Sequence, residues 1–512
     1  LCAHGKVTLI EAGPVDRWWD YRIHMPAALS QVLSSKWYNW HYESVPEPYL
    51  NNRRLYCPRG KVMGGSSSIN GMIFLRGHKA DFDRWSSAFG LSEWDYQSCL
   101  PYFKKSENAL ALPEEAFDSK FRGDGGFMKF SRGNLETPLF QTWVDAAGQA
   151  GFSKTNDFNG FRQEGAGFFD RTIFDGERQN VAKAYLGGAS HSNSLTIIRQ
   201  AMVTKVLTHR GKATGIEYLK NGKLNQSFGG EVVLCAGAIN SPHLLMLSGV
   251  GKAAALEAQD ITVISDLPGV GENLMDHLEV YVQYACKKPV SVYPKTRWFN
   301  MPRVGAQWLL SRQGAGATNH FEAGAFLRSN EKVVYPDLQF HFLPIAMDYD
   351  GKDQYQGHGF QVHVGPMKPT SRGAVTLRTS DPLDSPRIQF NYNSTDEDRS
   401  VMRAGIRIAD DIVSQAAFDD YRGACLRPLE VDIQSNEALD HFVSRFAESA
   451  YHPSGTCRMG VDNASVVDAE GIVHGMSNLR VVDASIMPEI TNGNLNAPVI
   501  MMAEKISDLM LA

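Results

Sequence analysis

The sequence lacks any long apolar run. The most apolar stretches, such as EVVLCAGA from Glu231, have the length of a β-strand, far short of the roughly 20 residues that a membrane-spanning helix needs. We therefore predict no transmembrane helix. The opening LCAHGKVTLIEAG contains neither a signal peptide nor a Met, so we expect a processed or incomplete N-terminus.

Cysteine is scarce and charge is nearly balanced. The seven cysteines are far apart, and none stands in a CxxC pair or in a Cys/His array with metal-ligand spacing. Reduced thiols in a cytoplasmic compartment are expected, with no metal site. The chain has 51 basic and 56 acidic side chains and a net charge of -5, which leaves no basic patch for a phosphate backbone. Nucleic acid is not an expected partner.

Apolar stretches of strand length alternate with helical patterns over 512 residues, which is too long for one ordinary core. The stretch KVTLIEAGP, the strand, turn and helix of EVVLCAGAINSPHLLMLSGVG, and LRVVDASIMP followed by APVIMMAEKISDLML suggest parallel strands with helices. The middle of the chain alternates apolar and polar residues in antiparallel style. The predicted fold class is α/β.

We predict a doubly wound nucleotide-binding domain built from separate segments, and a second lobe with an antiparallel sheet and helices. The first comprises residues 1–150, 186–279 and 452–512, and the second residues 151–185 and 280–451. The first strand ends at Glu11, too early for a preceding GxGxxG turn. That strand, turn and helix are therefore expected to be absent from the chain.

Two local patterns are compatible with a cofactor but also with ordinary structure. Glu11 at the end of a strand is the residue type that binds an adenosine ribose in doubly wound folds, or simply a strand end. The stretch RGKVMGGSSSING, with Gly64 and Gly65, lets backbone N–H groups approach an anion closely. A flexible turn is the alternative.

Two further stretches carry candidate polar chemistry. AYHPSGTCRMG places His452 beside Tyr451 in a turn, and TNGNLNAP places Asn494 before the last helix. A His has a tunable pKa near neutrality and suits proton transfer, and an Asn can donate a hydrogen bond to an oxygen. A surface His in a turn and an Asn that caps the final helix are the alternatives.

These stretches occur in one order along almost the whole chain, and together they resemble the glucose-methanol-choline family of FAD-dependent oxidoreductases. The resemblance is strongest to its choline-oxidising members, through VPEPYLNNRR, NHFEAGAF, FHFLPIAM and AYHPSGTC. It implies oxidation of a primary alcohol by hydride transfer to flavin N5, with choline giving betaine aldehyde and then glycine betaine.

The resemblance also implies roles for individual residues. His452 matches the active-site His, and Asn494 matches a second active-site position. Glu322 matches an acid that faces the trimethylammonium head group, and Tyr451 matches an aromatic wall of that pocket, as a quaternary ammonium requires. One of His341, His358 and His363 is expected to bind the alkoxide, and the sequence leaves the choice open.

The implied cofactor is FAD. Ile69 stands where some members carry a His bonded to the flavin, so FAD is expected to be held non-covalently. The implied cofactor residues are Glu11, Gly64, Gly65, Ser66, Asn70, Gly71, Met72, Ile73, Val203, Ala236, Gly237, Asp483, Ala484, Asn496 and Pro498. The implied acceptor is a quinone or the respiratory chain, with oxygen left open, and any membrane association is peripheral, at the inner membrane.

Three alternatives remain at this stage. The chain can be a dehydrogenase or oxidase for another alcohol, without preference for a cationic head group. It can be a hydroxynitrile lyase, because the family includes members that keep FAD but cleave cyanohydrins. The missing GxGxxG turn also allows an inactive remnant that binds no FAD.

Overall fold

The computed structural model describes residues 1–133, 135–187, 193–348, 354–429 and 431–512. Its α-helices are α1 (Tyr21–His24), α2 (Leu29–Leu33), α3 (Lys79–Phe89), α4 (Tyr96–Ser106), α5 (Pro138–Gln149), α6 (Gly237–Leu247), α7 (Ala253–Glu257), α8 (Tyr293–Thr296), α9 (Met301–Ser311), α10 (Asp396–Ser414), α11 (Asn436–Phe446) and α12 (Asn496–Leu509). A π-helical turn spans Ala182–Leu186.

Most strands are short. In chain order they are β1 (Val7–Glu11), β2 (Tyr42–Glu43), β3 (Tyr56–Cys57), β4 (Glu107–Asn108), β5 (Met128–Lys129), β6 (Gly165–Phe168), β7 (Ile173–Phe174), β8 (Glu177–Arg178), β9 (Leu195–Arg199), β10 (Met202–His209), β11 (Lys212–Lys220), β12 (Lys223–Phe228), β13 (Val232–Leu234), β14 (Val250–Gly251), β15 (Ser265–Asp266), β16 (Leu278–Cys286), β17 (Ala323–Leu327), β18 (Leu338–Leu343), β19 (Gly359–Pro366), β20 (Ala374–Thr376), β21 (Arg387–Gln389), β22 (Arg422–Arg427), β23 (Glu448–Ser449) and β24 (Leu479–Val481).

Two parallel pairs carry the nucleotide-binding pattern. Strand β1 pairs with β9, with Glu11 opposite Arg199, and β13 pairs with β24. Within the described residues these pairs are separate two-stranded sheets. Their carboxyl ends lie beside one cavity, which is where ligands bind in open α/β sheets.

The largest sheet is antiparallel and has the strand order β22-β16-β19-β18-β17-β6, with β23 added beside β16. Strands β17, β18 and β19 are buried along their whole length. On one face they pack against α5 and α10, where Trp143 stacks on Phe342. A strand that is covered on both faces loses the alternation of polar and apolar residues.

The predicted α/β class is confirmed, with parallel pairs and a large antiparallel sheet in one chain. The strands of the antiparallel sheet come from residues 165–168 and 278–449, close to the predicted second lobe. The domain boundaries themselves stay a prediction. In the described part of the chain, no helix has both the length and the apolar character needed to cross a bilayer.

A buried ion network connects the helical layer to the first strand of the antiparallel sheet. The Arg122 guanidinium contacts Glu107 at 3.1 Å, Asp157 at 2.7 Å and Asp170 at 2.9 Å. Arg122, Glu107 and Asp170 are almost completely buried. Burial alone would lower the pKa of Arg122, but the three carboxylates raise it well above its ordinary value.

We expect Arg122→Ala to destabilise the protein by about 3 to 5 kcal/mol, because it removes the central buried cation and leaves three carboxylates, Glu107, Asp157 and Asp170, to share only Arg76 and Arg132. The measurement is the midpoint of urea unfolding. The matched control is Arg84→Ala, which removes an exposed pair with Glu489 and should cost no more than about 1 kcal/mol. Equal shifts in the two variants would contradict the assignment.

Candidate active site

One large cavity of about 2560 Å³ lies between the parallel pairs and the antiparallel sheet. Its volume exceeds the roughly 300 to 1,000 Å³ of a usual small-molecule pocket, so it has room for a dinucleotide as well as a small substrate. His452, Asn494, Tyr451 and His341 all line it. The sequence-predicted catalytic pair is therefore brought together.

His452 follows β23 and opens onto the cavity. The preceding Tyr451 has a φ of 67°, a left-handed conformation that a bulky residue rarely adopts outside constrained sites. The Tyr451 carbonyl accepts a hydrogen bond from the Arg59 guanidinium at 2.6 Å. Burial lowers the pKa of His452 to about 3, so its imidazole is neutral at neutral pH.

The tautomer of His452 follows from its neighbour His277. Nε2 of His277 lies 3.2 Å from the carbonyl oxygen of Met367, and because a carbonyl only accepts, that nitrogen carries the proton. Burial, with the adjacent His452, holds the pKa of His277 well below its ordinary value, so its Nδ1 keeps a lone pair. His452 Nδ1, 3.0 Å away, must donate to it. The lone pair of His452 is therefore on Nε2.

A buried carboxylate, Asp276, joins the two segments that carry these histidines. Its Oδ1 accepts hydrogen bonds from the backbone N–H groups of His277 at 2.9 Å and His452 at 2.7 Å. Its Oδ2 accepts from the hydroxyls of Tyr392 and Ser449. Burial raises the pKa of Asp276 to about 6, against the opposite effect of these hydrogen bonds.

Asn494 completes the polar group at Nε2 of His452. Its Nδ2 lies 3.0 Å from that nitrogen and donates to it. Its Oδ1 accepts from Nε2 of Gln339 at 3.3 Å, which orients the amide with its NH₂ group toward the His. A substrate hydroxyl that donates to His452 Nε2 would replace this hydrogen bond, and the released Asn494 N–H could then donate to the hydroxyl oxygen.

Among the acids that line the cavity, Glu279 is the one in β16 of the antiparallel sheet. His363 Nδ1 lies 2.8 Å from its Oε1, and His341 Nδ1 lies 3.7 Å from its Oε2. Burial alone would raise its pKa, but His363 and His341 hold the pKa of Glu279 well below its ordinary value. Gln361 donates to His363 Nε2, so the proton of His363 is on Nδ1 and points to Glu279.

The three open candidates on the antiparallel sheet have different surroundings. His341 and His363 line the cavity beside Glu279. Nε2 of His341 is buried and has no hydrogen-bond partner among the described residues. His358 does not line the cavity, and its Nδ1 is 2.9 Å from the hydroxyl of Ser291. His341 is therefore the candidate that can offer a free ring nitrogen to a ligand.

Glu322, expected at the head group, lies elsewhere. It is 1 % exposed and is not on the cavity wall. Its Oε1 accepts from Thr318 at 2.6 Å and from the Arg171 guanidinium at 3.1 Å, and its Oε2 accepts from the N–H of Leu135 at 3.0 Å. The positive charge of Arg171 offsets the negative charge of Glu322, so this carboxylate attracts a second cation only weakly.

The cofactor wall fits a flavin dinucleotide. Glu11, at the carboxyl end of β1, accepts from the N–H of Gly13 at 2.6 Å, and burial raises its pKa to about 7. Gly65 and Gly237 have φ of 54° and 83°, and a Cβ at either would meet no atom within 4 Å. Nδ2 of Asn496 is buried without a hydrogen-bond partner in the described part of the chain. The free space beside these two glycines lets a ligand approach the backbone closely, and the Asn496 amide can donate a hydrogen bond to it.

The predicted cofactor residues largely share this wall. Those that line the cavity are Glu11, Gly64, Gly65, Ser66, Asn70, Gly71, Met72, Ile73, Val203, Ala236, Gly237, Asp483, Ala484 and Asn496. Pro498 is not among them and is buried in the first turn of α12. Ile69 also lines the cavity and offers no nucleophile for a covalent flavin bond.

Sequence reasoning missed Asp276, His277 and Glu279. The three stand in the stretch MDHLEV, which leads into β16 at Leu278 and which the sequence analysis places in the nucleotide-binding domain. Two signals were available. Three ionisable residues fall within four positions, and residues two apart at a strand share one face, which places His277 and Glu279 on the same side.

Comparison with known proteins gives one consistent family. The family models described as GMC oxidoreductase match residues 10–279 and 369–503. An oxygen-dependent choline dehydrogenase of Pseudomonas savastanoi pv. phaseolicola is 49% identical over 506 residues, which is 98% of this chain and 88% of that protein. One of Pectobacterium carotovorum subsp. carotovorum is 49% identical over 509 residues, 98% of this chain and 89% of that protein. The solved pyridoxine 4-oxidase of Mesorbium loti has a TM-score of 0.88 at 29% identity, covering 98% and 94% of the two chains.

We expect His277→Ala to lower the rate of alcohol oxidation on the order of 10²-fold, the lower end of the range for acid–base groups, because His452 loses the acceptor that fixes its tautomer. Flavin content should not change. His277→Asn keeps an acceptor oxygen near the position of Nδ1 and should recover most of the rate. A rate in the Asn variant as low as in the Ala variant would show that the tautomer is not set here.

Proposed function

The chain belongs to the GMC oxidoreductase family, and we propose that it catalyses the FAD-dependent oxidation of choline to betaine aldehyde, and of the aldehyde hydrate to glycine betaine. The choline dehydrogenase relatives at 49% identity over almost the whole chain support the substrate. The observation that carries the proposal is that a neutral imidazole acceptor and a buried carboxylate line the same cavity.

The carboxylate of Glu279 is suited to the trimethylammonium group of choline. A quaternary ammonium donates no hydrogen bonds, so it is held by charge and by aromatic faces. Glu279 supplies the charge, and Tyr451 and Phe321 supply rings on the same cavity wall. This assignment replaces the one made for Glu322, whose charge is already used by Arg171.

At the other end of choline, the hydroxyl would donate to Nε2 of His452, and Asn494 would donate to the hydroxyl oxygen. As the proton moves to Nε2, the new imidazolium keeps its Nδ1 hydrogen bond to His277. The nearby Glu279 raises the pKa of His452, although burial has the larger and opposite effect. Glu279 would therefore both attract the substrate cation and favour the protonated form of His452.

FAD is the cofactor, as the family and its structural neighbours show, and when bound it supplies the two-electron acceptor for the hydride. The chain contributes orientation and electrostatics. His452 and Asn494 fix the oxygen, and Glu279 fixes the nitrogen end, so the carbon between them has one orientation in the cavity. The same groups would hold the hydrate of the aldehyde, which also carries a hydroxyl on that carbon.

The electron acceptor is proposed to be a quinone, reached at a membrane surface by a cytoplasmic enzyme. The relatives' names specify oxygen instead. The two are distinguished by reoxidation of the reduced enzyme. A soluble quinone analogue should reoxidise it faster than air-saturated buffer does, and the opposite order would make oxygen the acceptor.

We expect anaerobic titration of the FAD-loaded protein with choline to bleach the flavin absorbance with no more than one equivalent, because each choline gives one hydride to FAD and the hydrate of its aldehyde can give a second. Ethanol and a cyanohydrin should leave the absorbance unchanged. His452→Ala should keep its flavin and slow the bleaching about 10²- to 10⁴-fold. Cyanide release without bleaching would support a lyase, and a colourless protein would support an inactive remnant.

We expect Glu279→Gln to raise the KM for choline on the order of 10²-fold, because a fixed cation then faces a neutral amide. The KM for 3,3-dimethylbutan-1-ol, the uncharged isostere, should change little. Glu322→Gln is the matched control and should affect both alcohols alike, since Glu322 does not line the cavity. A choline-selective effect in the Glu322 variant would restore the first assignment.

A further inference from the structure

Arg178, in strand β8, carries a buried positive charge that no carboxylate of the described residues contacts. Its side chain is completely buried. The other buried arginines in the described part of the chain are Arg76, Arg122 and Arg171, and each of them has a carboxylate oxygen within 3.1 Å. Buried charges are normally paired, because an isolated one is costly. An unpaired buried cation is more typical of a functional site, where its charge acts on a ligand.

Within the described residues, the hydrogen bonds of Arg178 go to neutral oxygens. Its Nε donates to the carbonyl oxygen of Ile23 at 2.8 Å, and its Nη1 donates to the carbonyl oxygen and to Oδ1 of Asn70 at 2.6 Å and 2.8 Å. Its Nη2 is buried and has no hydrogen-bond partner there. Burial lowers the pKa of the guanidinium to about 9, so Arg178 stays charged at neutral pH. The oxygens solvate this charge but do not cancel it.

These hydrogen bonds place Arg178 directly behind the loop that forms part of the cofactor wall. Ser67, Ile69, Asn70 and Gly71 line the cavity, whereas Arg178 itself does not. Ile69 stands at the position where some family members carry a His bonded to the flavin. The positive charge is therefore separated from the flavin side of the cavity by one layer of protein.

Arg178 also fixes the amide of Asn70. Oδ1 of Asn70 accepts from Arg178 Nη1 and from the N–H of Met72 at 3.1 Å. Met72 has a φ of 62°, a left-handed conformation that is uncommon for a residue with a side chain. With Oδ1 used in this way, Nδ2 is the end of the amide that can donate to a ligand in the cavity. Arg178 thus contributes both charge and a fixed donor to the same part of the wall.

Attachment of the loop does not by itself account for the charge. Two other hydrogen bonds join the same segments, from Asn180 Nδ2 to the Ser68 hydroxyl at 2.9 Å and from the Val181 N–H to the Ser67 hydroxyl at 3.0 Å. A neutral amide side chain at position 178 would also donate to carbonyl oxygens, without the cost of burying an unpaired charge. The charge of Arg178 therefore calls for a partner that gains negative charge.

We propose that Arg178 stabilises reduced FAD through its unpaired positive charge and so raises the reduction potential of the flavin. When an alcohol is oxidised, its hydroxyl proton leaves to a base, and its hydride carries two electrons to the cofactor, which gains one negative charge. A fixed cation in a low-dielectric wall favours that gain. Glu279 lines the same cavity with the opposite charge, and Arg178 counters its effect on the reduced cofactor.

The test is the midpoint potential of the FAD-loaded protein, measured by titration with dithionite against a reference dye. We expect Arg178→Gln to weaken the preference for reduced over oxidised FAD at least about 10-fold, which lowers the potential of a two-electron couple by about 30 mV. Arg178→Lys keeps the charge and should keep the potential near that of the wild type. The matched control is Arg76→Gln, which removes an equally buried arginine that pairs with Glu107 and does not line the cavity. Its potential should be unchanged.

Asn70→Asp tests the same charge while Arg178 is kept. The substitution preserves an acceptor at Oδ1 and puts a carboxylate against the guanidinium, so we expect a similar fall in potential. This variant decides the matter if Arg178→Gln does not retain FAD.

Three outcomes would overturn the proposal and leave Arg178 as an attachment of the loop alone. They are an unchanged potential in a variant that retains FAD, a potential in Arg178→Lys as low as in Arg178→Gln, and loss of FAD from both the Gln and the Asp variants. The last counts because a charge that acts on the reduced state leaves the oxidised cofactor bound. The titration uses no choline, so a protein that does not oxidise choline would still give a valid result.

Discussion

The hydrogen bonds of Asp276 are the interaction on which the reactive geometry depends. One carboxylate oxygen accepts from the backbone of both His277 and His452, residues that are 175 positions apart in sequence. Because the constraint acts on the backbone, each imidazole remains free to use both ring nitrogens. A side chain that bonded to the imidazoles themselves would have consumed the positions that the chemistry needs.

The two buried acids near the cavity show how similar residues acquire different uses. Glu322 pairs with Arg171, which is itself buried and permanently charged. Among the described residues Glu279 forms ion-pair contacts with His363 and His341 but with no Arg or Lys. In a low-dielectric wall, an acid without a permanent counter-charge exerts the stronger attraction on an incoming cation. Both residues are glutamates, so their positions in the structure decide which of them can attract the substrate cation.

Much of the site was predictable because it is encoded in contiguous stretches. The small residues around Gly64 and the His452 turn have distinctive compositions, and they line the cavity as expected. The prediction for Glu322 was wrong because the resemblance identifies an acid in the predicted second lobe, while no local pattern reveals its pairing with Arg171. Such a pairing is a long-range contact with no local pattern. The same limit hid the role of Asp276, whose partners come from three segments of the chain: the adjacent His277, the distant Tyr392, and the stretch from Ser449 to His452.

The resting site combines neutral imidazoles with a charged carboxylate, and this combination has a physical reason. Two adjacent histidines in a buried wall cannot both be charged, and burial with mutual repulsion lowers the pKa of His277. His452 is consequently free to accept a proton without competition from its neighbour. In the proposed mechanism, the positive charge that then forms on His452 is stabilised by Glu279, the same group proposed to hold the substrate cation. Proton acceptance at His452 and retention of the substrate cation therefore depend on one carboxylate, and any change to its charge must affect both.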